Sequence, residues 1–138
     1  MLLNIAPQVL PLVDLAVLSE LESQLNDALP ARAFARDYIA GFEKRYLRLC
    51  TSIGDRDSAG ALDAVLSLRN SSTMVGAARL AAMAAGIEAA VVSEDLDAAR
   101  RTLPLIERCG LETIGELESC YLADAVTGTP QERAGVSL

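Results

Sequence analysis

The chain of 138 residues contains no histidine and no tryptophan, and only 4% of its residues are aromatic. Without histidine, the protein lacks the most frequent metal-binding side chain and the usual activator of a cysteine nucleophile. Because 51% of the residues are hydrophobic and few are aromatic, the core must consist mainly of leucine, isoleucine, valine and alanine. Such interiors favour closely packed helices, and the length fits a single domain.

The sequence also lacks a cluster of basic residues and a long apolar run. Its formal net charge is −7, and its twelve lysines and arginines are scattered, so nothing predicts a surface for the phosphates of nucleic acid. No run without charges or prolines reaches the roughly 20 apolar residues that cross a bilayer. We therefore expect neither a nucleic-acid partner nor a membrane partner.

The three cysteines form an odd set without a C-x-x-C pair, and no basic stretch opens the chain. Both features favour a reduced protein of the cytoplasm. Because the chain has no histidine to activate a thiol, Cys109 and Cys120 are interpreted as small buried hydrophobic residues. Glu112 and Glu116, one helical turn apart, are interpreted as surface acids, and we expect no metal site and no cofactor.

Apolar residues recur at steps of three and four along most of the chain, and no alternating strand pattern competes with them. Asp14, Asp57 and either Ser93 or Asp95 are candidate N-caps, and Gly76 interrupts the periodicity between two helices. The pattern predicts helices over 15–25, 31–53, 58–75 and 77–92, and a last helix that extends to Tyr121.

The fold class predicted from these segments is all-α. Because short connections make consecutive helices antiparallel, we expect an up-down-up-down four-helix bundle with an additional short N-terminal helix. We assign residues 1–13 to an irregular N-terminal arm that packs on the domain and residues 14–123 to the bundle. Residues 124–138 lose the periodicity, gain turn formers and are assigned to a flexible C-terminal tail. In the last helix, Gly110 and Gly115 are expected to reduce helix stability.

The predicted third helix has two faces of different composition. The stripe expected to be buried consists of Ala61, Val65, Leu68, Ser72 and Val75. A neighbouring face, with residues at i, i+3, i+4 and i+7, consists of Leu66, Arg69, Asn70 and Thr73. Leu62 lies one turn before Leu66, so the two leucines form an apolar spot near the charge of Arg69. The hydroxyl groups of Ser71 and Ser72 are interpreted as bonding back to their own helix.

Residues 66–80, LSLRNSSTMVGAARL, resemble the motif of the histidine-containing phosphotransfer (HPt) domains of two-component phosphorelays, which reads roughly H-x-L-K-G-S-S-x-x-x-G-A-x-x-L. The shared positions are Leu68, Ser71, Ser72, Gly76, Ala77 and Leu80. Arg69 stands for the family's lysine, Asn70 stands for its glycine, and Leu66 occupies the position of the phospho-accepting histidine. The resemblance extends over about residues 11–122 and implies the same helical bundle.

Leu66, at the phospho-acceptor position, cannot carry out the phosphotransfer that is typical of the family. Leucine has no lone pair with which to attack a phosphoryl group. The neighbouring Ser67 points about 100° away around the helix, and a serine ester would be too stable to pass the group on. With no histidine elsewhere in the chain, we expect neither phosphotransfer nor any other enzymatic activity.

The resemblance implies a partner, namely the receiver domain of a response regulator or of a hybrid histidine kinase. The expected function is that of a phosphotransfer-incompetent HPt-like protein, a pseudo-HPt, which acts as a binding adaptor or competitor in a phosphorelay. The expected partner-binding residues are Leu62, Leu66, Arg69, Asn70 and Thr73. Arg69 keeps a positive charge for the acidic pocket of a receiver, whereas Asn70 in place of glycine would hold a partner further away.

Two questions stay open at the level of sequence. Leu62 and Leu66 either both join the core, or Leu66 is an exposed anchor for a partner. The chain could also be a structural, oligomerising bundle, which forms a homodimer by burying the Leu62/Leu66 face.

Overall fold

The computed structural model describes residues 10–123, and this part of the chain forms helices joined by short connections, without a strand. The elements are α1 (Leu15–Leu25), α2 (Leu29–Gly54), α3 (Ser58–Met74), α4 (Ala78–Val92) and α5 (Leu96–Glu116), with a π-helical segment (Leu117–Leu122) after α5. The predicted all-α fold is therefore confirmed for these residues. The predicted tail and residues 1–9 of the predicted arm lie outside the described residues.

Aspartates begin three of the helices, as the sequence predicts. Asp14, Asp57 and Asp95 each accept a hydrogen bond from a backbone N–H in the first turn of α1, α3 and α5, at 3.0–3.1 Å. These bonds satisfy donors that have no partner within the helix. Of the two candidate caps for α5, Asp95 is the one that acts, whereas the hydroxyl group of Ser93 bonds back to the end of α4.

The core lies among α2, α3, α4 and α5. Helix α3 packs against α2 and α4, α5 packs against α4 and α2, and α1 contacts α2. The predicted inward stripe of α3 is entirely buried: Ala61, Val65, Leu68, Ser72 and Val75. Phe34 and Tyr46 of α2 and Met83 of α4 are only partly buried at the border of the core. None of the helices in residues 10–123 combines the length and apolarity needed to span a membrane.

The first described residues of the chain are hydrogen-bonded to the turn between α3 and α4. Gly76 has a φ of +79°, which strongly favours glycine, and its carbonyl oxygen accepts a hydrogen bond from the Asp14 backbone at 2.7 Å. The Arg79 guanidinium donates to the Leu10 carbonyl oxygen at 2.8 and 3.0 Å, and its backbone N–H donates to Pro11 at 3.1 Å. Residues 10–13 therefore lie without regular structure against this turn.

Helix α5 contains two features that periodicity does not reveal. Gly110, which was expected only to weaken the helix, is buried, and a Cβ atom at this position would overlap the Phe42 ring. The missing side chain thus makes room for an aromatic ring of α2. After Glu116 the helix widens into the π-helical segment, where the Tyr121 hydroxyl group donates to the Glu22 carboxylate of α1 at 2.5 Å.

Candidate partner-binding site on the third helix

The inward face of α3 is fixed by a buried hydrogen bond in addition to apolar contacts. Leu68 and Ser72 are completely buried, and the hydroxyl groups of Ser72 and Tyr38 lie 2.7 Å apart. The expectation that Ser72 bonds back to its own helix is therefore wrong, because Tyr38 of α2 offers a partner inside the core. For Ser71 the expectation is confirmed, since its hydroxyl group donates to the Ser67 carbonyl oxygen at 2.8 Å.

The five predicted partner-binding residues lie on the outer side of α3, and we call them the α3 surface: Leu62, Leu66, Arg69, Asn70 and Thr73. Asn70 and Thr73 are exposed, whereas the other three are partly buried. The Thr73 hydroxyl group donates to the Arg69 carbonyl oxygen at 2.9 Å, so it is directed along the helix. The structure brings these residues onto one side of α3, but it does not expose them equally.

The two leucines of the α3 surface differ in their surroundings. Leu62 packs against the core and borders a shallow depression of about 280 Å³ together with Val91 and Val92 at the end of α4. Leu66 is partly buried and does not belong to the residues that pack on the core cluster. Neither of the two sequence interpretations describes both leucines, since Leu62 joins the border of the core and Leu66 stands between core and solvent.

The charge of Arg69 already has a partner within the chain. Its guanidinium forms an ion pair with Glu88 of α4, and on the other edge of α3 Arg48 of α2 forms an ion pair with Asp63. The Glu88 carboxylate offsets the positive charge that was expected to face a receiver. Sequence reasoning missed this pair, although Arg69 is the one basic residue of α3 and Glu88 the one acidic residue of α4.

Two titratable groups of the core, Tyr38 of α2 and Cys109 of α5, have raised pKa values. Burial raises the pKa of Tyr38 to about 12, although its hydrogen bond with Ser72 acts in the opposite direction. Burial also raises the pKa of the Cys109 thiol, against the effect of its hydrogen bond with Thr113. At neutral pH both groups are therefore protonated, and each has a structural role in the core.

The remaining candidates for chemistry are dispersed. Cys109 is buried, as predicted. Cys120 is exposed, in the π-helical segment where Leu117 and Leu122 are the buried residues, so the prediction for Cys120 is wrong. Glu112 lies exposed on α5. Within residues 10–123, no three cysteine, aspartate or glutamate side chains come close enough together to hold a metal ion.

Comparison with known proteins finds no family model, no curated protein and no solved structure that matches the chain.

Proposed function

We propose that the chain is an HPt-like protein that binds a receiver domain of a response regulator or hybrid histidine kinase without accepting its phosphoryl group. It would act as an adaptor, or as a competitor of a phosphotransferring HPt protein. The observation that supports this most directly is the distribution of the motif over α3. Leu68 and Ser72, which the motif shares with the family, are buried, while Leu66 lies on the other side of the helix at the phospho-acceptor position.

We also propose that α2 to α5 form an up-down-up-down four-helix bundle, with α1 as an additional short helix. The connections between α2 and α3, between α3 and α4, and between α4 and α5 each consist of three residues. Connections this short favour antiparallel neighbours. The contact of α5 with α2 as well as with α4 is the contact that closes such a bundle.

Leu66 would serve as the apolar centre of the docking surface. Its side chain is partly buried, so a receiver that covers it removes the rest of its area from water, while the hydrocarbon can take no phosphoryl group. The exposed Asn70 side chain would lie at the edge of the contact.

Arg69 would contribute to docking only after its pairing with Glu88 is loosened or shared. The Arg69 side chain is 39% exposed and that of Glu88 is 25% exposed, and ion pairs at a surface contribute only about 0–1 kcal/mol. The acidic pocket of a receiver could therefore compete for the guanidinium at little cost. Receivers that bind strongly without using this charge would be equally compatible with the α3 surface.

The test is a binding titration of the chain against the purified receiver domains of its source organism, with Leu66→Asp as the disruptive variant. We expect one or more receivers to bind, and Leu66→Asp to weaken that complex by about tenfold or more. The control is Leu29→Asp at the start of α2, because Leu29 is 65% exposed and lies outside the α3 surface. Both variants should keep the helical circular dichroism of the parent chain.

Three outcomes would count against the proposal. No receiver binds, or Leu66→Asp and Leu29→Asp bind alike, or labelled phosphate passes from a phosphorylated receiver to the chain. The homodimer through Leu62 and Leu66 is tested in the same samples, since it requires a doubled mass in solution that Leu66→Asp abolishes. The packing of Leu62 against the core leaves less apolar area for such a dimer than the sequence suggested.

A further inference from the structure

A second surface, away from α3, exposes two large apolar side chains, Leu47 and Leu111. An apolar groove of about 370 Å³ runs between α2 and α5. We call it the α2–α5 groove and define it by Phe42, Glu43, Tyr46, Leu47, Glu107 and Leu111. Its position on the α5 side of α2 separates it from the residues proposed for receiver docking.

The floor of the α2–α5 groove is aromatic and held in place from several sides. The rings of Phe42 and Tyr46 are stacked, with centroids 6.2 Å apart and planes at 11°. Phe42 occupies the space left by the missing side chain of Gly110, and the Tyr46 hydroxyl group donates to the Leu103 carbonyl oxygen at 3.3 Å. Because both rings are anchored to α5, the floor exists before any partner arrives.

The rims of the α2–α5 groove expose large apolar side chains. Leu47 of α2 is 52% exposed and Leu111 of α5 is 61% exposed. No other described segment of the chain lies over them, since only side chains of α2 and α5 line the groove. Exposed leucines beside an aromatic floor are typical of surfaces that another helix covers.

The charges that line the α2–α5 groove favour a basic partner over an acidic one. Glu43 and Glu107 are the charged residues among those that line it, and both are exposed. Within the described part of the chain, neither carboxylate forms an ion pair, and no lysine or arginine lines the groove. A partner that buried its own acidic residues here would therefore be repelled, whereas basic residues would be attracted.

We propose that the α2–α5 groove binds an amphipathic helix of a partner protein, with an apolar stripe towards Tyr46, Leu47 and Leu111 and basic residues towards Glu43 and Glu107. A helix fits because the channel between two packed helices accepts side chains spaced at i, i+3, i+4 and i+7. This inference does not depend on the proposed receiver binding, because it uses none of the α3 surface.

The test uses two synthetic helical peptides of about 18 residues, five turns long, and the full chain. Both peptides carry the same leucine stripe; one is flanked by lysines and the other by glutamates. We expect the lysine peptide to bind about tenfold or more tightly than the glutamate peptide in fluorescence anisotropy at low salt. Reversing the groove charges with Glu43→Lys and Glu107→Lys together should invert the preference.

A matched pair on α5 locates the site. Leu111→Ser should weaken binding of the lysine peptide by about tenfold, whereas Leu105→Ser should leave it unchanged. Leu105 is also exposed, at 46%, but does not line the groove. Leu66→Asp should likewise have no effect, which separates a failure of this inference from a failure of the proposed receiver binding.

Several results would overturn the inference. Failure of the lysine peptide to bind, equal binding of the two peptides, or equal effects of Leu111→Ser and Leu105→Ser would each do so. A concentration-dependent dimer that Leu111→Ser abolishes would replace the partner helix with a second copy of the chain. Peptide binding that begins only after deletion of residues 124–138 would replace it with the chain's own end.

Discussion

The α3 surface and the α2–α5 groove differ in the way each presents apolar area and charge. On the α3 surface, Leu66 is partly buried and the charge of Arg69 is paired with Glu88. In the α2–α5 groove, Leu47 and Leu111 are exposed, and the carboxylates that line it form no ion pair with a described residue. The motif that draws attention in the sequence therefore does not mark the most accessible apolar surface of the molecule.

This difference follows from what a motif can preserve. Positions such as Leu68 and Ser72 are needed for packing whether or not the protein transfers phosphate, and they remain buried. The residues on the outside of α3 are free of that requirement, so the proposed departure from the HPt pattern at these positions would alter binding and not folding. The groove has no motif at all, because its properties arise from two helices that are distant in sequence.

The largest expected effect is the difference in the free energy of unfolding when leucine is replaced with alanine on the two sides of α3. Leu68→Ala should lower the free energy of unfolding by about 2–5 kcal/mol, since it leaves a cavity in the core. Leu66→Ala, two residues earlier, should cost about 1 kcal/mol, because its side chain is partly exposed. Urea denaturation of both variants measures the difference. Equal losses would mean that Leu66 belongs to the core and cannot be the apolar centre of a docking surface.

Replacing either of two glycines of α5 with alanine should change the stability by a smaller amount, and the two changes should have opposite signs. At Gly110 an added methyl group overlaps the Phe42 ring, so Gly110→Ala should destabilise the protein by about 1–3 kcal/mol despite the better helix propensity of alanine. At Gly115 a Cβ atom meets nothing within 4 Å, so Gly115→Ala should stabilise it by about 0.5–1 kcal/mol. Thermal denaturation should show the two shifts in melting temperature in opposite directions.

The same pair of variants sharpens the comparison of the two surfaces. Gly110→Ala should also reduce peptide binding to the α2–α5 groove, because the displaced Phe42 ring forms its floor, and it should leave receiver binding unchanged. Stabilisation by Gly110→Ala would contradict the close contact of α5 with Phe42, and destabilisation by Gly115→Ala would contradict the open space at Gly115.

A third effect appears only at alkaline pH and concerns the contact between α2 and α3. The pKa of Tyr38 is raised to about 12 in the fold by burial, from its usual value of 10.0. The folded state therefore holds the proton more tightly than the unfolded state. This contribution to stability is fully present below about pH 10 and is lost as the pH rises towards 12, by at most about 1.4 kcal/mol per pH unit.

Tyr38→Phe should make the loss of stability between pH 10 and 12 less steep. Burial also raises the pKa values of Tyr46 and Tyr121, so the variant removes one contribution and not the whole dependence. The parent chain should also be compared with the double variant Tyr38→Phe/Ser72→Ala, since neither of these two proteins has a buried hydroxyl group left without its partner. An unchanged slope in urea titrations at several pH values would argue against burial of the Tyr38 hydroxyl group.

Local features of the fold were predictable from the sequence because they depend on neighbouring residues. The caps at Asp14, Asp57 and Asp95 and the turn at Gly76 each involve residues a few positions apart. The inward stripe of α3 was predictable for the same reason, since helical periodicity determines which side chains share a face.

Contacts between helices were not predictable in this way. The bond of Tyr38 with Ser72 and the fit of Phe42 against Gly110 depend on how each helix is rotated and shifted against its neighbour. The spacing of apolar residues along one helix does not determine that rotation or shift. For the same reason the sequence could place Leu66 on the outer side of α3 but could not determine how far α2 and α4 cover it, and the π-helical exposure of Cys120 was missed.

The Phe42 ring in the space above Gly110 also limits how the molecule can move. A slide of α5 along α2 would move the ring out of the space left by Gly110 and towards the side chains one turn away on the same face of α5. The fit of Phe42 at Gly110 thus favours one register of the two helices and opposes a displacement of α5 along α2. The proposed partner helix would therefore meet a preformed groove, and the speed of association should depend on collision and orientation instead of on rearrangement of the protein.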